Sequence, residues 1–151
     1  RLTGMRGIDN FESFMRFLAP IARGIVDDDV RAGEQVFQSI GCAACHTPKM
    51  LTGPNANPLF DRKEVLLYSD LLLHDVGTGD GIPQASAEAD EIRTPALWGL
   101  RMRRPFLHDG SASTPDQAIR RHGGEAAATT KRYLEASALE RAALLLFLRS
   151  L

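Results

Sequence analysis

Two cysteines, and only two, occur in this chain, and a histidine stands directly behind them: Gly41-Cys42-Ala43-Ala44-Cys45-His46. Cys-x-x-Cys-His is the attachment signature for c-type haem. Thiols three residues apart on a helical turn can each add across one vinyl group, and the next residue, His46, then falls under the iron as an axial ligand. The motif uses both thiols, so none remains for a disulfide or a second site. Two other chemistries share part of the pattern. A thioredoxin-like redox pair wants a preceding strand in a βαβ setting, and the sequence offers neither. A structural zinc site usually draws on four Cys or His ligands, and no second cysteine pair exists.

The flanking sequence fits a helical carrier. Asp27, Asp28 and Asp29 provide an N-cap and an acidic first turn for a helix running to Ile40, with Val36, Phe37 and Ile40 as its apolar face. Gly41 stops it. Upstream, Phe11, Phe14, Met15 and Leu18 form an i, i+3, i+4, i+7 stripe over residues 8–19, which predicts a helical arm ended by Pro20. From Thr47 to Pro58 the composition is that of a loop. Val65 to Tyr68 and Leu71 to Leu73 are short apolar runs that suit strands or single helical turns equally. Thr114-Pro115-Asp116-Gln117 starts a helix that ends at His122-Gly123-Gly124. Ser137 and Glu140 make a capping box for a last helix reaching Leu151, with Leu139, Ala142, Ala143, Leu146 and Phe147 on one apolar face. Leu144, Leu145, Leu148 and Leu151 cover much of the rest, so burial on more than one side is expected.

A chain of 151 residues suits one domain plus an arm, which puts the arm or interdomain segment at residues 1–26 and the core at 27–151. The net charge of −1 argues against nucleic-acid binding. The longest apolar run, from Ala142 to Leu148, falls short of the roughly 18 residues of a membrane helix. The chain begins at Arg1 without a visible signal peptide and reads as a fragment or a processed product.

Haem iron has a second axial position. Its candidates are His74, His108, His122, Met50, Met102, Tyr68 and Tyr133. Met50 lies only four residues past His46. His74-Asp75 and His108-Asp109 pair an imidazole with a carboxylate in apparent turns, where they hold loops or bond a haem propionate. His122 ends a capped helix, glycines follow it, and it lies 76 residues (122 − 46) after His46, enough chain to reach the opposite haem face. A structural reading of His122, as a helix-terminal residue favoured by the dipole, stands beside the ligand reading. Met102 is the main alternative, flanked by Arg101, Arg103 and Arg104. Those arginines suit haem propionates or a solvated basic turn equally.

Several segments together resemble one family. They are Tyr68-Ser69-Asp70-Leu71-Leu72-Leu73-His74-Asp75-Val76-Gly77, Arg93-Thr94-Pro95-Ala96-Leu97-Trp98-Gly99-Leu100 and Pro105-Phe106-Leu107-His108-Asp109-Gly110. Ala118 to Glu125 and Glu140 to Leu145 extend the likeness, which covers residues 10–151. The chain resembles the C-terminal cytochrome c domain of the peroxidase-like di-haem oxidoreductases, also described as thiol oxidoreductases. These are related to bacterial di-haem cytochrome c peroxidases and MauG-like enzymes. The resemblance implies an all-α, class I cytochrome c-like domain, with long loops around one covalent haem c and first and last helices crossing behind it. It also implies an electron-transfer role beside a peroxide-reacting N-terminal haem domain, and a bacterial periplasmic setting. His122 occupies a position similar to that of the family's methionine ligand, so bis-imidazole iron and a lower potential are implied. The related peroxidases carry calcium near a Thr-x-Pro. Here that stretch is Arg103-Arg104-Pro105, whose charge opposes calcium although backbone carbonyls could still bind it.

The expected partner is therefore a second haem domain or another redox protein. The alternative is an independent mono-haem cytochrome that shuttles electrons, and a weaker one is a mono-haem sensor or enzyme with an open iron site. None of these readings assigns a catalytic residue to this chain.

Overall fold

The computed structural model describes residues 6–151; residues 1–5 of the expected arm lie outside the described residues. Helix α1 spans Gly7–Arg16 and agrees with the predicted arm. It buries none of its side chains, and Phe11, Phe14 and Met15 are exposed. Phe17, just past its end, stacks on Phe60 with ring centroids 5.3 Å apart. The chain then runs without regular structure to Asp27. This stretch docks on the last helix: Gly24 N donates to Ser150 O at 2.7 Å, and the Arg23 guanidinium lies 5.2 Å from the Phe147 ring centroid.

Helix α2 spans Asp28–Ser39, and the Asp27 carboxylate caps it by accepting from Val30 N at 2.9 Å. Helices α3 (Pro115–Arg120), α4 (Ala127–Glu135) and α5 (Ala138–Ser150) follow the long central loops. The loops carry two small antiparallel ladders. Strand β1 (Met50–Leu51) pairs with β2 (Glu64–Val65), and β3 (Leu73–Asp75) pairs with β4 (Glu91–Arg93), with His74 opposite Ile92. The architecture is helical, with α2 and α5 crossing at the centre, as the family resemblance implied.

The crossing uses Phe37, Ile40, Ala143 and Phe147 as expected, but not Val36, Leu139 or Leu146. Helix α2 buries Val30, Gly33 and Phe37, whereas Val36 is only partly buried. Helix α5 buries Leu144, Phe147 and Leu148, while Leu139 and Leu146 point to solvent. The physical reason is Gly33. A Cβ there would stand 2.0 Å from Ala143 O, so the helices meet backbone to backbone at that point. Close approach rotates α5 so that Leu144 and Phe147, not Leu139 and Leu146, face inward. Phe37, Tyr68 and Phe147 form an aromatic cluster, with centroids 5.1 to 6.0 Å apart. Each buried side chain of this size contributes roughly 1.5–3 kcal/mol of transfer free energy, an upper figure given a compact unfolded chain.

The helix before His122 is also shorter than predicted. It closes at Arg120, and His122 sits in the turn beyond it. Helix α4 was not foreseen. It places buried Tyr133 under α3, its hydroxyl donating to Asp116.

Candidate functional site

Gly41 ends the approach to the motif. Its φ of +99° suits glycine, and the turn it makes is held by Arg132, whose Nη1 donates to Ile40 O at 3.1 Å. A short 3-10 turn, Cys42–Ala44, follows, and His46 N closes it by donating to Cys42 O at 3.0 Å. Both cysteines are free thiols and half-buried. Burial pushes the Cys42 thiol up to about 12. Cys45 is raised as well, by burial and then by the charges of Asp70 and Glu125. Disulfide oxidoreductases need the opposite, a thiol lowered towards neutrality. The pair is therefore poorly suited to thiol–disulfide exchange.

Segment 68–70 wraps back along the motif. Ser69 N donates to Thr47 O at 3.0 Å and Asp70 N to Cys45 O at 2.8 Å. This brings Tyr68 O within 3.0 Å of His46 Nδ1. A carbonyl only accepts, so Nδ1 carries the proton and Nε2 keeps its lone pair. Burial lowers the His46 pKa to about 4, which keeps the ring neutral, the form that ligates metals. Tyr68 adopts φ +52°, an uncommon value for a bulky residue. The left-handed turn aims its carbonyl at His46 while its ring stays in the aromatic cluster. Its hydroxyl donates to Glu34 Oε1 at 2.8 Å.

His122 is held by the same device. Its Nδ1 lies 2.7 Å from Ala118 O, so this ring too presents a free Nε2. Its backbone is anchored on both sides. His122 O accepts from Thr130 Oγ1 at 2.7 Å, and Gly123 N donates to Val76 O at 2.7 Å. Gly124 has φ +46°, and a Cβ there would stand 2.4 Å from Asp75 O.

The other candidates are placed differently. Both ring nitrogens of His74 are taken by carboxylates, Asp70 and Glu125. His108 is exposed, and Met102 is 68% exposed. Met50 is an exposed residue of β1, and the Tyr68 and Tyr133 hydroxyls serve Glu34 and Asp116. Arg101 Nη2 donates to Ala22 O at 2.9 Å, so it holds the chain after the arm. Arg103 instead lines an open cleft of about 630 Å³, together with Arg93, Trp98 and a wall of Met50, Leu67 and Leu71. Leu67 and Leu71 bracket the Tyr68 turn that holds His46. None of Cys42, Cys45, His46 and His122 lines this cleft. The donor set and the free thiols fit a covalently attached haem. Sequence reasoning missed the carbonyls of Tyr68 and Ala118, because backbone acceptors leave no residue signature.

The model of one protein family matches residues 10–151, and that family is described as "Di-haem oxidoreductase, putative peroxidase". The chain belongs to this family. Its chemistry is accordingly haem-linked redox chemistry. Two solved structures share the fold. Hydrazine synthase of Kuenenia stuttgartiensis, solved under xenon pressure, matches with TM-score 0.60 and 20% identity over 91% of this chain and 52% of that one. A MauG-like protein associated with microbial copper homeostasis matches with TM-score 0.51 and 22% identity over 84% of this chain and 47% of that one. The chain thus spans about half the length of these relatives. No curated protein matches its sequence. Among the described residues, no helix is long and apolar enough to cross a membrane.

Proposed function

We propose that this chain is an electron-transfer domain carrying one haem c, tethered through thioethers at Cys42 and Cys45 and held axially by His46 and His122. The observation that carries this reading is the matched treatment of the two histidines. Each donates Nδ1–H to a backbone carbonyl, Tyr68 or Ala118, and so keeps Nε2 for a metal. The haem, once bound, supplies a one-electron couple. The residues around it do the rest. Burial keeps His46 neutral, and the Tyr68 and Ala118 carbonyls fix both ring planes. With His46 and His122 both holding the iron, the bound group would offer peroxide no open position. The peroxide chemistry of such an enzyme then belongs to a second haem domain, for which this chain is the electron reservoir.

In this reading residues 27–151 are the cytochrome c unit and residues 1–26 the interdomain arm. The exposed apolar face of α1 supports that, since Phe11, Phe14 and Met15 gain a partner only from outside the described chain. Thioether attachment takes place outside the bacterial cytoplasm, which supports a periplasmic location.

The experiment is spectroscopic. Colour should stay with the polypeptide on acid and organic extraction. The wild type should be six-coordinate and low-spin in both oxidation states, and His122→Ala should turn it high-spin. A near-infrared methionine-to-iron band, or a spin change in Met102→Ala but not in His122→Ala, would transfer the role to Met102. Steady-state peroxide reduction by the haem-loaded chain alone should be negligible.

A further inference from the structure

His74 sits where the two sides of the site meet, and the axial reading above gives it no part. Its Nε2 lies 2.8 Å from Asp70 Oδ2 and its Nδ1 2.8 Å from Glu125 Oε2. Ionised carboxylates only accept, so both nitrogens carry protons and the ring is an imidazolium. Each carboxylate is fastened to a different side. Asp70 belongs to the segment wrapped on the motif, and its N–H donates to Cys45 O at 2.8 Å. Glu125 follows His122 by three residues, and its Oε1 accepts from Asp75 N at 3.1 Å.

We infer that His74 is a positioning residue that locks the His122 loop to the Cys45 tether through a carboxylate–imidazolium–carboxylate bridge. The geometry is specific to that task. The backbone around His74 repeats the contact, since Val76 O accepts from Gly123 N and Asp75 O abuts Gly124. The Glu125 bond reaches across fifty-one residues of sequence while the Asp70 bond is local, and the ring itself is largely shielded, with its side chain 17% exposed. Other charged groups nearby are Asp75 on its own strand and Glu91 and Arg93 on the pairing strand β4. None of these replaces the bridge.

The inference rests on His122 as an axial ligand, and the test separates the two ideas. Cyanide can bind ferric iron only after His122 leaves, so its association rate reports how firmly the loop is held. In the haem-loaded chain, His74→Gln and Glu125→Gln should each raise that rate about tenfold, and the double variant should match the single ones, because both break one bridge. The midpoint potential should move in opposite directions. Losing the imidazolium lowers it, and losing the Glu125 carboxylate raises it. A merely structural role would not produce that pair of signs. Rates within about twofold of wild type, or single effects that multiply in the double variant, overturn the bridge. If His74→Gln does not accumulate, Glu125→Gln decides alone, since that side chain is 56% exposed and its loss leaves the core intact. Failure of His122→Ala to change the spin state would instead overturn the axial reading.

Discussion

Replacing Gly33 by alanine sets two well-measured effects against each other. In a helix interior alanine is favoured over glycine by about 0.8–1 kcal/mol. At this site, however, the new Cβ meets Ala143 O at 2.0 Å, Ala143 C at 2.5 Å and Phe147 Cβ at 2.8 Å. Two of these are backbone atoms, which no rotamer change can move. Ordinary contact starts at 3.4 Å, so α2 and α5 must part by about 1.4 Å (3.4 − 2.0). A gap of that size along the crossing forfeits much of the dispersion between Phe37, Leu144 and Phe147. Overpacking costs of about 1–3 kcal/mol are usual, and a backbone clash belongs at the upper end. The net expectation is a loss of about 2 kcal/mol, or roughly 4–8 °C in midpoint for a chain of this size. Thermal unfolding of the haem-loaded chain, followed by far-ultraviolet circular dichroism, measures it. Gly7→Ala is the control, since a Cβ there meets nothing within 4 Å. A Gly33→Ala midpoint equal to or above wild type would refute the backbone-contact argument.

Tyr68→Phe removes the hydroxyl that donates to Glu34 but leaves the carbonyl on His46. Stability should fall by about 1 kcal/mol in urea titration while the haem spectrum stays unchanged, and a spectral shift would place the ring, not the carbonyl, in control of His46. Ser137→Ala deletes the hydroxyl that accepts from Glu140 N, and should cost about 1 kcal/mol in the same assay; no measurable loss would mean the cap is redundant. His74 gives a pH dependence. Its pKa is raised above the usual imidazole value by Glu125 and then Asp70, so its contribution is full below about pH 6.5 and is lost as pH climbs through the higher folded value. At the acid end the bridge fails when its carboxylates take up protons. Glu125 is held below its usual range by His74; at Asp70 burial opposes, but the bonds from His74, Leu72 N and Thr94 win. The midpoint difference between wild type and His74→Gln should therefore narrow as pH rises above about 6.5, and a gap that widens with pH would contradict the imidazolium.

The parts that a reader of the sequence could see were those written in side chains of one segment. Cys42, Cys45 and His46 announce their chemistry by spacing, Asp27 and Ser137 announce helix starts, and Gly41 announces a stop. What stayed hidden depends on elements distant in the chain. Gly33 looks like a weak spot in a helix until Ala143 is found against it. The apolar stripe of α5 is wide enough to permit several rotations, and that contact favours Leu144 over Leu139 and Leu146. The helical pattern after Glu125 carries Thr129, Thr130 and no strong cap, so local signals left α4 unmarked. His74 beside Asp75 suggested a local pair, whereas its true partners are four residues back and fifty-one ahead.

The left-handed turn at Tyr68 has a consequence for assembly order. Its carbonyl steers the proximal imidazole, but the turn is kept in place by a ring wedged against Phe147, 5.6 Å away near the C-terminus. A chain emerging with its N-terminus first presents its two thiols long before Phe147 exists. With the attachment proposed above, covalent capture of the cofactor can therefore run ahead of the Phe147 contact. Under the proposed ligation, orientation of His46 waits for α5 to dock, so a chain truncated before α5 should retain haem colour while losing the sharp low-spin signature of a fixed histidine.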